Sequence, residues 1–413
     1  MIVKKFSNEI PPPKSSDSYR ILMILDHPFP SDTRVENEAT ALTKAGFEIF
    51  LLILSPQNGP SIEKHLGFTI IRVHVPKRRS NWMRGLSGTL PILSLFTAYH
   101  VLKLHRQYCF DAIHAHDLYM CGGALRAGKH AGIPVVGDLH EVWVSVLGLY
   151  AWSTRFPGKL FVSIRRWMRL EKKWANQLDK IIVITEDMRK RYISMVDTKV
   201  EIIALPNTIN TEAFDEYPID DEILQSHSSE FTLVYTGTIN PHRGLSFLLN
   251  AMPLVLQQCN ARLVIVGDGR IRPELEALAE DIHISDHVYF EGWQEQSKIK
   301  SYILASDVCL MPLIKCEQTE KAAPHKLFHY MYLKRPQIVT DCSFIQKVVE
   351  STDCGLVVPY GDVEALALTI IDLYRDPEGR QRMGENGHRA VLEQYNWEKS
   401  AQSLIEMYKG MRS

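Results

Sequence analysis

At 413 residues the chain exceeds what one hydrophobic core usually supports, so two domains of roughly 200 residues each are expected. A formal net charge of -1, with 45% hydrophobic and 23% charged residues, describes an ordinary globular protein and gives no overall pull toward nucleic acid. Seven cysteines, scattered and without a C-x-x-C pair, suggest neither a disulfide frame nor a zinc ribbon, and a reducing cytosol fits them best.

Residues 1–19 lack an apolar h-region and are rich in Pro and Ser, so they read as a disordered lead-in and not as a signal peptide. From residue 20 short β-rich runs alternate with helical patterns, the signature of stacked βαβ units and a parallel sheet. The first half offers RILMILDH (20–27), FEIFLLIL (47–54), FTIIRVHV (68–75), DAIHAHD (111–117), PVVGDLH (134–140), KIIVIT (180–185) and VEIIALPN (200–207). Several are nearly continuous apolar runs, as strands covered on both faces should be. The longest apolar stretch starts at Leu86, but Pro91 and His100 interrupt it where a spanning helix wants about 20 cleaner residues. An internal helix or an interfacial element is expected there.

The pattern restarts with FTLVYTG (231–237), then ARLVIVGDG (261–269), HVYFEG (287–292), SDVCLMP (306–312), PQIVTDC (336–342) and CGLVVP (354–359). The restart predicts an α/β chain of two Rossmann-like domains, 20–206 and 207–396, with a hinge near Pro206 and Asn207. The last segment, 397–413, places Trp397, Ala401, Leu404, Ile405 and Tyr408 on one helical stripe with no strand to follow, so it is expected to return to the first domain. Parallel sheets facing across a cleft would bind ligands at their carboxyl ends.

Several motifs bear on chemistry. In HPFPSDTRVENEATAL the helix starts at Ser31 or Asp32, and Arg34 in the first turn works against the helix dipole, so it needs an anionic partner: Asp32, Glu36, Glu38 or a ligand. IHAHD and GDLHEVW end two strands in His114, His116, Asp117, Asp138, His140 and Glu141, a polar cluster at carboxyl ends that points to function. RFPGKLFVSIRRWMRLEKKW carries seven Lys or Arg, including Arg165, Arg166 and Arg169, and reads as either a solvated helix face or a surface for an anionic membrane. In VYTGTINPHRGL a helix begins near Arg243 and Gly244 after the Gly237 turn, where amides and a guanidinium can hold a phosphate, although an ordinary turn explains it equally. VIVGDGR repeats the exit at Gly267, Asp268 and Gly269, without a full dinucleotide fingerprint. In APHKLFHYMYLKRPQIV, Pro324 suits a first helical turn and Lys326 sits at the positive helix end, an economical anion site. His325 and His329 have metal-ligand spacing, yet lysine replaces the base of H-E-x-x-H and no third ligand is identifiable nearby, so no metal is expected.

Taken in order, these segments resemble a retaining glycosyltransferase of family 4 in the GT-B arrangement, over residues 20 to 410. DLHEVW resembles the acceptor-side histidine loop, TGTINPHRGL and LVIVGDG the donor-side turns, PHKLFHYMYLKRPQIVTDC the nucleotide-sugar helix, and YNWEKSAQSLIEMY the closing helix. The resemblance implies transfer of a sugar from a UDP- or GDP-sugar to an acceptor hydroxyl with the anomeric configuration kept and no metal or other cofactor required. It places His140, Arg243 and Lys326 in catalysis; Gly237, Thr238, Gly267, Asp268, Gly269, Trp293, His325 and His329 on the donor side; and Arg34, Asp117 and Glu141 on the acceptor side. Thr238 stands where many members carry an arginine, and Lys321 and His329 stand where the family has its Glu-x7-Glu pair. If the His329 imidazole accepts a ribose hydrogen bond, donor affinity should fall on acidification through the histidine range. The expected partners are a nucleotide-sugar, a glycan or lipid-linked acceptor and an anionic membrane surface, with no nucleic acid, in cell-surface polysaccharide or glycolipid assembly. The expected location is cytoplasmic, with peripheral attachment at the inner face of the cell membrane open. A non-catalytic sugar-nucleotide-binding partner and an epimerase of the same fold are the alternatives.

Overall fold

The computed structural model describes residues 18–30, 32–147, 163–197, 200–227 and 230–412. The lead-in expected over 1–19 therefore lies, except for 18 and 19, outside the described residues, as do Ser31, Arg155 and Lys159. The chain divides into two compact units, Met1–Pro206 with Ala401–Ser413, and Asn207–Ser400.

The first unit is built on β1 (Arg20–Leu25), β2 (Glu48–Ser55), β3 (Ile62–His65), β4 (Phe68–His74), β5 (Ala112–His116), β6 (Val135–Leu139), β7 (Lys180–Val183) and β8 (Glu201–Ala204). Their order is β3-β4-β2-β1-β5-β6-β7-β8, parallel except for β3. All six residues of β1 are buried, as its unbroken apolar run requires of a central strand with helices on both faces. The antiparallel edge strand β3 has no apolar run, only IEKH, and that polarity suits an edge. The apolar stretch after Leu86 becomes the Ile92–Tyr108 helix, with Leu93, Ala98, Val101 and Leu104 buried. It packs closely on the Leu118–Ala131 helix, because a Cβ on Gly123 would sit 2.6 Å from the Thr97 Cβ. It is thus an internal helix.

The second unit contains β9 (Phe231–Thr236), β10 (Ala261–Val266), β11 (Val288–Gly292), β12 (Val308–Met311), β13 (Gln337–Thr340) and β14 (Gly355–Val358) in the all-parallel order β11-β10-β9-β12-β13-β14. The Leu245–Leu256 and Val363–Arg375 helices bury Leu248, Leu249, Met252, Leu366 and Ile370 in one core with β9 and β10. The last helix, Trp397–Arg412, starts with a bond from Trp397 N to Ile209 O (2.8 Å) and ends with Tyr408 buried beside Phe47 and His114.

Candidate active site

In the first unit β1, β5 and β6 lie side by side, and their carboxyl ends gather ionisable groups from four segments. Asp32 caps the Thr33–Lys44 helix, accepting from the amides of Arg34 (3.1 Å) and Val35 (3.2 Å). In the same first turn the Arg34 guanidinium grips the fully buried Asp138 with two prongs, Nη2 to Oδ1 (2.9 Å) and Nε to Oδ2 (3.1 Å). It also donates to Leu205 O (2.8 Å) and lies 2.9 Å from Glu38 Oε1. Glu38 is thus one of the partners expected for Arg34, and Asp138, 104 residues away, is the unexpected one. With 3% exposure, Arg34 is turned into the domain, and any part it plays toward an acceptor is indirect.

Asp138 Oδ2 lies 2.6 Å from His140 Nε2 and 3.3 Å from His116 Nδ1. Burial would raise Asp138, but Arg34 and His140 hold it well below the usual carboxylate range. Burial, then the Asp138 charge, pushes Glu38 well above it, so Glu38 stays protonated beside its ionised neighbour. Burial would lower His140, and Asp138 raises it instead. Burial, then neighbouring His114, presses His116 down to about 3. Tyr408 Oη closes the network, 2.9 Å from His114 Nδ1. Glu38, His114, His116 and Asp138 bring four ligand-type atoms within 4.8 Å of one another. A buried guanidinium already touches both carboxylates and ties them into an ion network.

Beside this network is a second polar group that sequence reading missed. Asp26 accepts from Arg84 Nε (3.0 Å) and Nη2 (2.7 Å), and His27 Nε2 lies 2.8 Å from Asp32 Oδ2. Burial alone would lower His27, but Asp26 and Asp32 carry it up to about 10. Tyr119 Oη is 2.9 Å from both Asp26 Oδ1 and Asp117 Oδ2, and burial raises Asp117 while His140 and His27 oppose that. Asp117 has φ 69° and ψ 147°, a region where a Cβ costs about 1–3 kcal/mol. Such strain is typical of functional sites. Glu141 follows His140 and is exposed.

In the second unit β9 is followed by Gly237 with φ 129°, a 3-10 turn over Pro241–Arg243 and then the Leu245–Leu256 helix, close to the start expected near Arg243 and Gly244. Gly267 (φ 141°) abuts this turn so closely that a Cβ would lie 2.0 Å from Gly237 O. Asp268 Oδ1 accepts from Gly269 N (2.7 Å), and Thr238 is exposed with its carbonyl bonded to Tyr235 Oη (2.9 Å).

Pro324 is the N-cap of the His325–Tyr332 helix and lies just outside its first turn. From that turn Lys326 reaches back to Gly237, its Nζ 2.9 Å from where a Cβ would stand. Lys326 Nζ and Arg243 Nε are buried atoms without a hydrogen-bond partner among the described residues. Burial, then the Arg243 charge, depresses Lys326 well below the usual lysine range, and burial with both cations takes His242 to about 4. Two basic side chains with unpartnered buried nitrogens thus meet at one glycine turn.

His329 stacks on Phe214, with centroids 4.7 Å apart, and His325 stacks beyond it at 6.4 Å. Burial, then His325, lowers His329 to about 3. The expected loss of donor affinity through the histidine range is therefore corrected, because this ring stays neutral down to far lower pH. Lys321 pairs with Glu317 at 2.8 Å. Trp293, just after β11, is 72% exposed.

Known proteins agree with this division. A family model described as Glycosyltransferase Family 4 matches residues 32–213, and one described as Glycosyl transferases group 1 matches residues 217–390. The GDP-mannose-dependent monoacylated alpha-(1-6)-phosphatidylinositol monomannoside mannosyltransferase of Corynebacterium glutamicum is 26% identical, over 87% of this chain and 90% of its own. Among solved structures, the sucrose-phosphate synthase of Thermosynechococcus elongatus superposes with a TM-score of 0.75 at 21% identity, covering 95% of this chain and 99% of that one. HepE of Anabaena, solved in complex with UDP-glucose, gives 0.70 at 14% identity, covering 94% and 99%. These likenesses show the GT-B type of fold, two parallel-sheet domains. With its first half matched by one model and its second half by the other, the chain belongs to the family 4, group 1 glycosyltransferases, transferases of the EC 2.4 class.

Proposed function

We propose that the chain is a retaining glycosyltransferase that moves a sugar from a UDP- or GDP-sugar to an acceptor hydroxyl in cell-surface polysaccharide or glycolipid assembly. The observation that carries this reading is the pair Lys326 and Arg243, two cations with buried, unpartnered nitrogens at the Gly237 turn. As the donor C1–O bond breaks, negative charge builds on the leaving diphosphate, and preorganised cations stabilise that charge more in the transition state than in the ground state. The two side chains supply the charge that a divalent ion supplies elsewhere, so the reading invokes no metal. The leaving phosphate itself takes the acceptor's proton on the same face, and no side-chain nucleophile is needed. Neutral His329, braced on Phe214, takes the ribose place of the family's second glutamate. Gly267, Asp268, Gly269, Trp293 and His325 complete the donor side, and His140, Asp117 and Glu141 serve the acceptor side. Uracil and guanine donors both stay in view, since HepE was solved with UDP-glucose and the Corynebacterium relative is named for GDP-mannose.

A lipid-linked acceptor is supported by that relative's phosphatidylinositol-based acceptor and by the Ile164–Ala175 helix. The helix buries Trp167, Glu171 and Trp174, with Glu171 held by Arg191 (2.7 and 2.8 Å), and exposes Ile164, Arg165, Arg166, Met168, Arg169, Lys172 and Lys173. Mixed cationic and apolar exposure suits the anionic inner face of a cell membrane. Among the described residues no helix is long and apolar enough to cross one.

The test is a thermal-shift screen against UDP, GDP and their common sugars, followed by transfer to acceptors from a lipid extract. Binding of one donor with transfer, lost in Lys326→Ala and Arg243→Ala, supports the proposal. Wild-type turnover in both variants would sink it. The missing glutamates favour a second reading, a non-catalytic sugar-nucleotide binder, which predicts donor binding with no transfer. An epimerase would release an isomerised donor without any acceptor.

A further inference from the structure

We infer that Asp138, braced by Arg34, is a positioning residue that keeps His140 an imidazolium and so makes its Nδ1 a hydrogen-bond donor toward the reacting sugar. The inference rests on the reading above in one respect, that His140 faces that sugar.

The geometry carries it. His140 Nε2 is committed to Asp138 Oδ2 at 2.6 Å, and Nδ1 makes no hydrogen bond among the described residues. A neutral histidine whose Nε2–H serves Asp138 presents Nδ1 as an acceptor, whereas an imidazolium presents Nδ1–H as a donor. The protonation state therefore decides the polarity of the group offered to a sugar hydroxyl or a developing oxyanion. Asp138 can hold the second proton because it is itself unable to swing away or to neutralise. Arg34 fixes both of its oxygens, and Arg34 is in turn fixed by Glu38 and the Leu205 carbonyl.

The other groups facing His140 do not cancel this. From β5 come neutral His116, its Nδ1 3.4 Å from His140 Nε2, and Asp117 just beyond the strand; from the start of the Thr33–Lys44 helix come Asp32 and Arg34. The carboxylates favour the charged ring and Arg34 opposes it. The direct 2.6 Å contact to Asp138 outweighs the guanidinium, whose own charge is matched within 3.1 Å by the same carboxylate. Sequence alone would place Asp138 and Arg34 among acceptor-side candidates or ordinary ion pairs.

The experiment is an NMR titration of His140 ring nitrogens in the full chain, assigned with His140→Gln, alongside pH profiles of transfer for the wild type and Asp138→Asn. In the wild type both nitrogens should stay protonated above the ordinary histidine value of about 6.5. In Asp138→Asn the ring should deprotonate at or below that value, and kcat should fall by up to roughly tenfold per pH unit above it, while KM for the donor changes little. Glu38 can ionise to pair with Arg34 in this variant, which protects the fold. A wild-type His140 that loses its proton near pH 6.5, or an Asp138→Asn profile parallel to the wild type, overturns the inference. Should the variant not fold, the wild-type titration decides alone. Because that titration needs neither donor nor acceptor, it also decides if the wild type proves unable to transfer, an outcome that defeats the proposed function and not this inference.

Discussion

Lys326 Nζ lies 3.8 Å from the centroid of the Tyr235 ring, a cation–π contact inside the domain. Buried against a ring face, with Arg243 nearby, this nitrogen has no hydrogen-bond partner among the described residues. Removing that charge should therefore affect transfer more than folding. Lys326→Ala and Arg243→Ala are each expected to lower kcat by about 100-fold, in the range seen for loss of one preorganised charge-stabilising donor. Stability should hold or rise, because each substitution removes a buried nitrogen left without a hydrogen-bond partner. Steady-state kinetics with circular-dichroism melts would check this, and a large fall in Tm would assign Lys326 to the core instead.

Proton uptake should accompany donor binding. Burial and Arg243 hold Lys326 well below its usual range in the free protein, and a diphosphate against it reverses the balance. Calorimetry with UDP or GDP in two buffers of different ionisation enthalpy should show uptake that grows as pH is raised, and Lys326→Met should abolish it. Binding enthalpies independent of buffer would refute the assignment.

His329 should act as a neutral ligand. With its protonation displaced to about 3, donor affinity is expected to stay flat between pH 5 and 8 as far as this ring is concerned. His329→Ala should weaken donor binding roughly tenfold, the worth of one hydrogen bond with its packing. The same ring contributes to acid sensitivity. It binds a proton more readily unfolded than folded, so stability falls as pH drops from about 6.5 toward 3. Replacement by Gln should flatten that part of the stability curve, as denaturant midpoints would reveal.

The opposite sign applies to His27. Its folded value near 10 exceeds the unfolded value of about 6.5, so the stabilisation from Asp26 and Asp32 is complete below about 6.5 and lost as pH rises toward 10. His27→Gln should therefore lower stability at pH 6 and leave a shallower decline on the alkaline side. Equal slopes in the two proteins would show that His27 is not the titrating group.

Much of the architecture was readable because parallel strands buried on both faces are written as unbroken apolar runs, RILMIL and FLLILS among them. The edge strand β3 was not, since IEKH has neither apolar content nor a breaker to mark it. The candidate site shows the same split. Arg34 needed an anionic partner on dipole grounds alone, and Glu38 at the next helical turn was among those proposed. Asp138 could not be paired with Arg34 without knowing that β6 lies two strands from β1. Asp26, His27, Arg84 and Tyr119 escaped notice because each is unremarkable beside its sequence neighbours, and they meet only through the sheet order and the turn of the Lys77–Leu86 helix. His329 was legible as an anomaly of residue type, yet its neutrality comes from burial and then His325, and its stacking partner Phe214 lies 115 positions earlier.

The backbone of Asp117 carries one more consequence. At φ 69° and ψ 147° glycine is the residue the chain would choose for its own comfort, so Asp117→Gly should be more stable than Asp117→Ala by about 1 kcal/mol or more. On the proposed function, an aspartate there trades a firmer fold for a carboxylate held toward the acceptor.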